Sequence, residues 1–263
     1  MKRLAALGVA VAAAVALVPS TQVASGAPTA TGATSALTGS ALVRVAHFSP
    51  DTAGVDVWVD GKKALSNVSY NTVSDYVALA AGKHAFALRP FGATSASKPV
   101  VAANAELVSG TAYTIAGVGP HSELRGQIFV DDLGAPPAGS AKVRIIDAVV
   151  GTNPIDVVLA GANTFTNIDF AKASAYEAVH PKAYGVQVNG ANGASVLNVP
   201  RVIVGEGIIY SFAVIGGAGK PLQLVPVVDA RGPAATPVGG AGTGGGGTAS
   251  IRVQPFALLI ANS

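Results

Sequence analysis

Hydrophobic and polar positions alternate with period two through most of the chain. Val55, Val57 and Val59 alternate with Asp56, Trp58 and Asp60, the pattern of a strand with one buried face. Asp60-Gly61 follows, a pair suited to a tight hairpin turn. Val73, Val77 and Leu79 alternate with Ser74, Tyr76 and Ala78, and His84, Phe86 and Leu88 with Ala85, Ala87 and Arg89. Tyr113 and Ile115 mark a late strand, and Gln127 to Asp131 the last of this set. A second set is expected at 141–147, 155–160, 184–188, 208–215 and 222–228. No amphipathic helical stripe interrupts them. About seven or eight short strands per set, parted by Gly, Pro and Asn, predict an all-β chain of two tandem antiparallel β-sandwich domains of immunoglobulin-like type.

The two sets are copies. Ala41-Leu-Val43-Arg44-Val45 recurs as Ala141-Lys-Val143-Arg144-Ile145, and Val55-Asp56-Val57 as Ile155-Asp156-Val157. Gly61, Asn67, Ser74 and Tyr76 match Gly161, Asn167, Ser174 and Tyr176, all at an offset of 100. Gly110 and Tyr113 answer Gly207 and Tyr210 at 97. Repeats of this length are domains, not solenoid units. Leu107-x-x-Gly110-x-x-Tyr113 and Val204-x-x-Gly207-x-x-Tyr210 resemble the tyrosine corner of sandwiches, in which the hydroxyl bonds back to the backbone. Tyr113 and Tyr210 are therefore read as architecture.

The ends read differently. Met1-Lys2-Arg3, the apolar run Leu4–Val18 and the small residues after Pro19 form the three parts of a secretory signal peptide. The run is shorter than the roughly 20 residues that span a bilayer. Cleavage is expected after Ser25 or Gly26. This divides the chain into a signal peptide (1–26), a flexible lead-in (27–40), repeat 1 (41–133), a linker (134–140), repeat 2 (141–230), and a Gly-rich stalk with a short tail (231–263). The mature chain is expected to carry no transmembrane segment.

Charge changes the picture once the leader is set aside. Lys2 and Arg3 leave with it and no acid does, so the formal charge falls from +3 to +1. That balance, with no run of Lys or Arg, argues against a nucleic-acid partner. There is no cysteine, hence no disulfide framework and no thiolate metal site.

Familiar catalytic motifs are missing or out of context. The chain has no His-Glu-x-x-His, Gly-x-Ser-x-Gly or Gly-x-x-x-x-Gly-Lys-[Ser/Thr]. Ser95-x-x-Lys98 lacks the partner motifs of penicillin-recognising enzymes, and Gly242-x-Gly244-x-x-Gly247 lies in a glycine run with no strand before it. No cofactor is expected, and His47, His84, His121 and His180 show no ligand spacing for zinc. The densest stretch, Val43 to Lys63, holds His47, Asp51, Asp56, Trp58 and Asp60. His47 with its carboxylates could form a calcium or acid–base cluster. Alternatively they are framework, because only Arg44 and Asp56 recur, as Arg144 and Asp156. By strand parity, and if their strands are neighbours, each arginine can meet its aspartate in a register-fixing cross-strand pair.

The stretch Arg44-Val-Ala-His47-Phe-Ser49-Pro50-Asp51-x-x-x-Val55-Asp56-Val57-x-Val59-Asp60-Gly61 resembles the opening of a family of secreted bacterial repeat domains known only as a domain of unknown function. Gly82-x-His84 and Gly110-x-x-Tyr113-Thr114 are also similar to that family. The match spans Ala41 to about Asp132. The second copy departs from it, lacking His-x-Ser-Pro-Asp while keeping Arg144 and Ile155-Asp156-Val157. The resemblance implies export, a β-sandwich and frequently a cell-surface location, and no reaction.

Two readings follow. One is a non-catalytic exported module, structural or interacting, of the cell envelope or secreted space. The other is a carbohydrate- or cell-wall-polymer-binding protein with a site near Trp58, formed with His47, Asp51 and Asp56. A surface protein is a further candidate partner.

Overall fold

The computed structural model describes residues 39–232. The expected signal peptide, nearly all of the lead-in, and the stalk and tail from residue 233 lie outside the described residues. The first copy contains β1 (Ser40–His47), β2 (Val55–Val59), β3 (Lys62–Val68), β4 (Thr72–Val73), β5 (Val77–Ala80), β6 (Gly82–Pro90), β7 (Val101–Leu107), β8 (Ala112–Val118) and β9 (Arg125–Asp131). The second contains β10 (Ala141–Val149), β11 (Ile155–Leu159), β12 (Thr164–Ile168), β13 (Glu177–Val179), β14 (Ala183–Asn189), β15 (Ser195–Ile203), β16 (Ile208–Gly217) and β17 (Lys220–Arg231). Among the described residues the one helical element that the strands leave is a 3-10 turn, His121–Glu123.

Each copy is a sandwich of two sheets. In the first, β4-β1-β8-β9, with β5 also on β1, faces β3-β2-β6-β7. In the second, β13-β10-β16-β17 faces β12-β11-β14-β15. The pairings are antiparallel with one exception per copy: β1 runs parallel to β8, and β10 to β16. A parallel neighbour cannot be reached by a tight turn, so the chain builds the opposite sheet between them. The expected single strand through Val73–Leu79 is two short ones. Ser74 breaks it: its hydroxyl accepts from the Val45 N–H at 2.9 Å and donates to the Asp75 carbonyl at 3.0 Å. Ser174 does the same for Ile145.

The cores lie between the facing sheets. The second sandwich encloses one continuous cluster, including Val143, Ile145, Val157, Val186, Tyr184 and Phe212. The first divides into two smaller clusters, one around Val43, Phe86, Leu107 and Tyr113, the other around Val45, Val55, Val57 and Val68. A further apolar cluster belongs to neither. Ala46, Phe48, Ala116, Val118 and Phe129 of the first copy pack with Ile146, Ala148, Ala213 and Ile215 of the second. These are the outward positions of β1, β8 and β9 and of β10 and β16, so the two domains join sheet to sheet.

Two arginines cross this contact reciprocally. Arg44 Nη2 donates to Asp229 Oδ1 of the second domain at 2.5 Å, and Arg144 Nη2 donates to Asp131 Oδ1 of the first. Arg44 Nε donates to Thr114 and Arg144 Nε to Ser211, both at 2.8 Å. Each guanidinium also reaches a carbonyl across the contact, Val228 for Arg44 and Val130 for Arg144. Tyr76 donates to Asp131 and Tyr176 to Asp229, both at 2.7 Å, and each tyrosine ring lies 4.6 Å from its own domain's guanidinium. Both ion pairs are shut from solvent, with side-chain exposures of 0–3%. The linker is held as well: Lys142 Nζ binds the Asp132 carboxylate at 2.5 Å and the Gly134 carbonyl at 2.8 Å.

Removing one member of a buried ion pair strands the other charge. Arg144→Ala is expected to destabilise the chain by about 3–5 kcal/mol, and Asp131→Ala by a similar amount. In urea denaturation the double variant should lose much less than the sum of the two. Additive losses would mean that the two side chains are not coupled.

Candidate functional site

The motif that opens the first copy is the natural candidate. His47 ends β1 and is 3% exposed. Its Nδ1 accepts from the Ser49 N–H at 3.3 Å, which assigns the proton to Nε2, facing the Ala53 carbonyl at 3.3 Å. Burial pushes its pKa down, against the raising effect of that carbonyl. Ser49 and Thr52 hydroxyls bond each other at 2.6 Å. Asp51 is exposed, and its carboxylate accepts from the His121 N–H at 2.7 Å, at the head of the 3-10 turn.

Asp56 is fully buried on the outer side of β2. It accepts from Lys63 Nζ at 2.5 Å, Ser66 Oγ and the Asn67 N–H at 2.9 Å, and the Gly92 N–H at 3.2 Å. The Lys63 ammonium first, then the Asn67 N–H, hold its pKa well below the usual carboxylate range. Asp60 and Gly61 both have positive φ, 51° and 75°, and they link Val59 directly to its partner Lys62. This is the two-residue turn that the Asp-Gly pair favours. Asp60 also accepts from the Ala85 N–H at 2.9 Å and meets His84 Nδ1 at 2.7 Å. His84 Nε2 faces the Ala80 carbonyl at 2.8 Å. Two acceptors on one imidazole favour its doubly protonated form, and the Asp60 contact, then the Ala80 carbonyl, raise its pKa.

His47, Asp51, Asp56 and Asp60 are thus taken up separately, each by its own partners. Among the described residues no group of three His, Cys, Asp or Glu side chains could hold a metal ion.

The expected Arg44–Asp56 and Arg144–Asp156 pairs do not form. β1 and β2 belong to opposite sheets, as do β10 and β11, so strand parity cannot bring their side chains together. The arginines turn outward to Asp229 and Asp131 instead, while Asp156 accepts from the Asn167 N–H at 2.7 Å. Asp131 and Asp229 are the residues that sequence reasoning missed. Each lies at or near the end of the last strand of its copy, and that recurrence was the available signal.

Comparing the copies shows which bonds matter. Asp147 stands where His47 does and makes the same contact, accepting the Val149 N–H at 2.8 Å. Tyr184 replaces His84 and also bonds the carbonyl four residues back, that of His180, at 2.7 Å. Tyr113 accepts from the Val108 N–H and Tyr210 from the Gly205 N–H, both at 3.1 Å, the backbone tie of a tyrosine corner.

Trp58 lies on the outer side of its sheet, as parity predicts, yet it is only 9% exposed. Lys63 Nζ and the Arg89 guanidinium each lie 5.5 Å from its ring centroid. An open stacking platform for a sugar ring is therefore not what this tryptophan offers. Its indole Nε1 is buried without a hydrogen-bond partner, as are Arg89 Nε and Nη1.

Asp147 generates a pH dependence. It is fully buried, and desolvation pushes its pKa from the ordinary carboxylate value up to about 7, with the Val149 N–H opposing. A carboxyl whose folded pKa lies above its unfolded one binds more protons in the folded state, so stability falls as pH rises from about 4 to about 7 and levels off above. Asp147→Asn keeps the acceptor for Val149 and removes the charge. It should gain roughly 4 kcal/mol over the parent at pH 8 and little at pH 4. Equal differences at both pH values in urea denaturation would refute the assignment.

No curated protein matches the chain. Among solved structures, a leucine-rich repeat protein from Bacteroides thetaiotaomicron aligns at 13% identity over 68% of this chain and 26% of its own length, with a TM-score of 0.18. The chain thus spans about a quarter of that protein, and a score this low carries no argument about fold or role. The family comparison is direct: the profile described as "Domain of unknown function (DUF4397)" matches residues 41–149 and again 141–238. Two matches covering most of the chain, on the two sandwiches described above, make this protein a tandem member of the DUF4397 family.

Proposed function

We propose that the chain is a non-catalytic exported protein of the cell envelope or secreted space, acting as a structural or interaction module. The observation that carries this reading is the commitment of the motif's chemistry-bearing groups. His47, Asp51, Asp56 and Asp60 each hold a turn, a strand end or a neighbouring side chain, and Arg44 holds the second domain. Where the second copy replaces His47 and His84, the same backbone ties persist with other side chains. A group retained for its bond, and exchangeable for another that makes the same bond, has a framework role. The leader of basic start, apolar run and small residues supports export, and the lack of cysteine suits a fold held by burial and ion pairs alone.

A second reading, binding of a carbohydrate or cell-wall polymer near Trp58, is favoured by one observation: the unpartnered buried donors of Trp58 and Arg89.

The export reading is tested by expressing the whole gene in its own host, fractionating the cells and sequencing the protein's N-terminus. The expected outcome is a chain beginning at Gly26 or Ala27 in the envelope or medium. An uncleaved chain confined to the cytosol would overturn it.

A further inference from the structure

On the outer side of the first domain's β2–β6 pair, three hydrogen-bond donors are buried with nothing to bond: Trp58 Nε1, Arg89 Nε and Arg89 Nη1. An unsatisfied buried donor is destabilising, more so when charged. Two cations flank the indole at 5.5 Å. Asp56 compensates one of them, binding Lys63 at 2.5 Å. Arg89 stands directly across from Asp56 in the strand register, yet Asp56 spends its oxygens on Lys63, Ser66, Asn67 and Gly92. The patch therefore carries one positive charge without a counter-charge beside a neutral N–H donor. Both call for an anion that accepts hydrogen bonds.

The second copy supplies the contrast. Asp156 keeps the place of Asp56 and still ties Asn167, as Asp56 ties Asn67. The register partner of Asp156 is Asn189, however, and Val158 stands at the position of Trp58. The framework carboxylate is retained while the unpaired donors are replaced together. The sheet does not need them to fold.

We propose that Arg89 and the Trp58 indole N–H form a carboxylate-binding site for an acidic polysaccharide. The planar guanidinium matches a carboxylate through paired N–H···O bonds, and the indole N–H supplies a further donor. Next to Arg89 on the same face, Ala85, Ala87 and Ala102 are small and partly or fully exposed, with Asn104, Lys83 and Glu106 further along it. The small side chains beside the arginine leave room for an extended polymer lying across the face. Arg89 is half-buried, and binding requires its side chain to rotate so that the buried donors meet the ligand. The inference rests on the polymer-binding reading and gives it a ligand class and a mode, an ionic grip in place of ring stacking.

Trp58 is the chain's only tryptophan, so its fluorescence reports this site alone. The full chain is titrated with polygalacturonate, with neutral dextran and with inorganic phosphate, alongside retention of the chain on immobilised polygalacturonate. Expected is a saturable emission change with polygalacturonate and none with dextran. Binding should weaken about tenfold or more in Arg89→Gln, with a smaller loss in Arg89→Lys, which keeps the charge without the fork. Lys220→Gln, in the second domain, should bind as the parent does. Thermal melts check folding, and Arg89→Lys carries the comparison if Arg89→Gln unfolds. Three results would overturn the site: silent emission, equal weakening by Lys220→Gln, or a phosphate response matching that of polygalacturonate. Silent emission with the chain still retained on polygalacturonate would remove this site and leave polymer binding standing at a place away from Trp58. Silence with no retention would remove both.

Discussion

The reciprocal exchange of arginines across the domain contact is the interaction on which the rest depends. Arg44 reaches into the second domain and Arg144 into the first, each ending on an aspartate of the other's last strand. Neither charge could stay buried alone. Each is kept by a set that both copies supply: a strand hydroxyl on Nε, a tyrosine ring against the guanidinium, and a carbonyl across the contact. Around the pairs, Ala46, Ala116, Ala148 and Ala213 interleave with Phe48, Phe129, Ile146 and Ile215, so that small and large side chains fill the contact between the two sheets.

With those sheets joined, the opening motif takes on a consistent sense. Its polar groups lie at strand ends and turns, where backbone N–H groups would otherwise lack partners. His47 secures the turn after β1, Asp51 the 3-10 turn, Asp56 the strand and loop around it, and Asp60 the hairpin and the start of β6. Buried carboxylates and imidazoles so placed look like an active site when read along a line. In three dimensions each is satisfied locally, and they do not converge.

Divergence between the copies separates bond from residue. Where His47 gives way to Asp147, and His84 to Tyr184, the hydrogen bond survives and the titration behaviour changes: His47 is pushed down by burial and Asp147 up. The two domains consequently respond to pH with opposite sign at equivalent positions. His47 withholds a proton that the unfolded chain would take below about pH 6.5, whereas Asp147 retains one that the unfolded chain would lose. The outer side of the first domain departs from this economy, where Trp58 and Arg89 hold donors that nothing in the fold uses; the Tyr70 hydroxyl and Asp147 Oδ2 are likewise buried without a partner.

The sequence by itself determined the local and repetitive features. Period-two alternation marked most strands, Asp60-Gly61 marked its turn, and the offset identities marked two copies of one domain. These depend on residues near one another in the chain or on self-similarity, and both can be read in one dimension. The opposite-sheet placement of β1 and β2, the parallel β1–β8 and β10–β16 pairs, and the partners of Arg44 and Arg144 were decided by tertiary structure. The parallel β1–β8 partners are 70 positions apart and Arg44 meets Asp229 185 positions on, while Arg144 meets Asp131 only 13 positions back but across a domain boundary. Parity tells which side of a strand a charge leaves by; it cannot tell whether that side meets water, the facing sheet or another domain. For the same reason Trp58 could be placed on an outer face from the pattern, while its burial between Lys63 and Arg89 came only from the folding of β3 and β6 around β2.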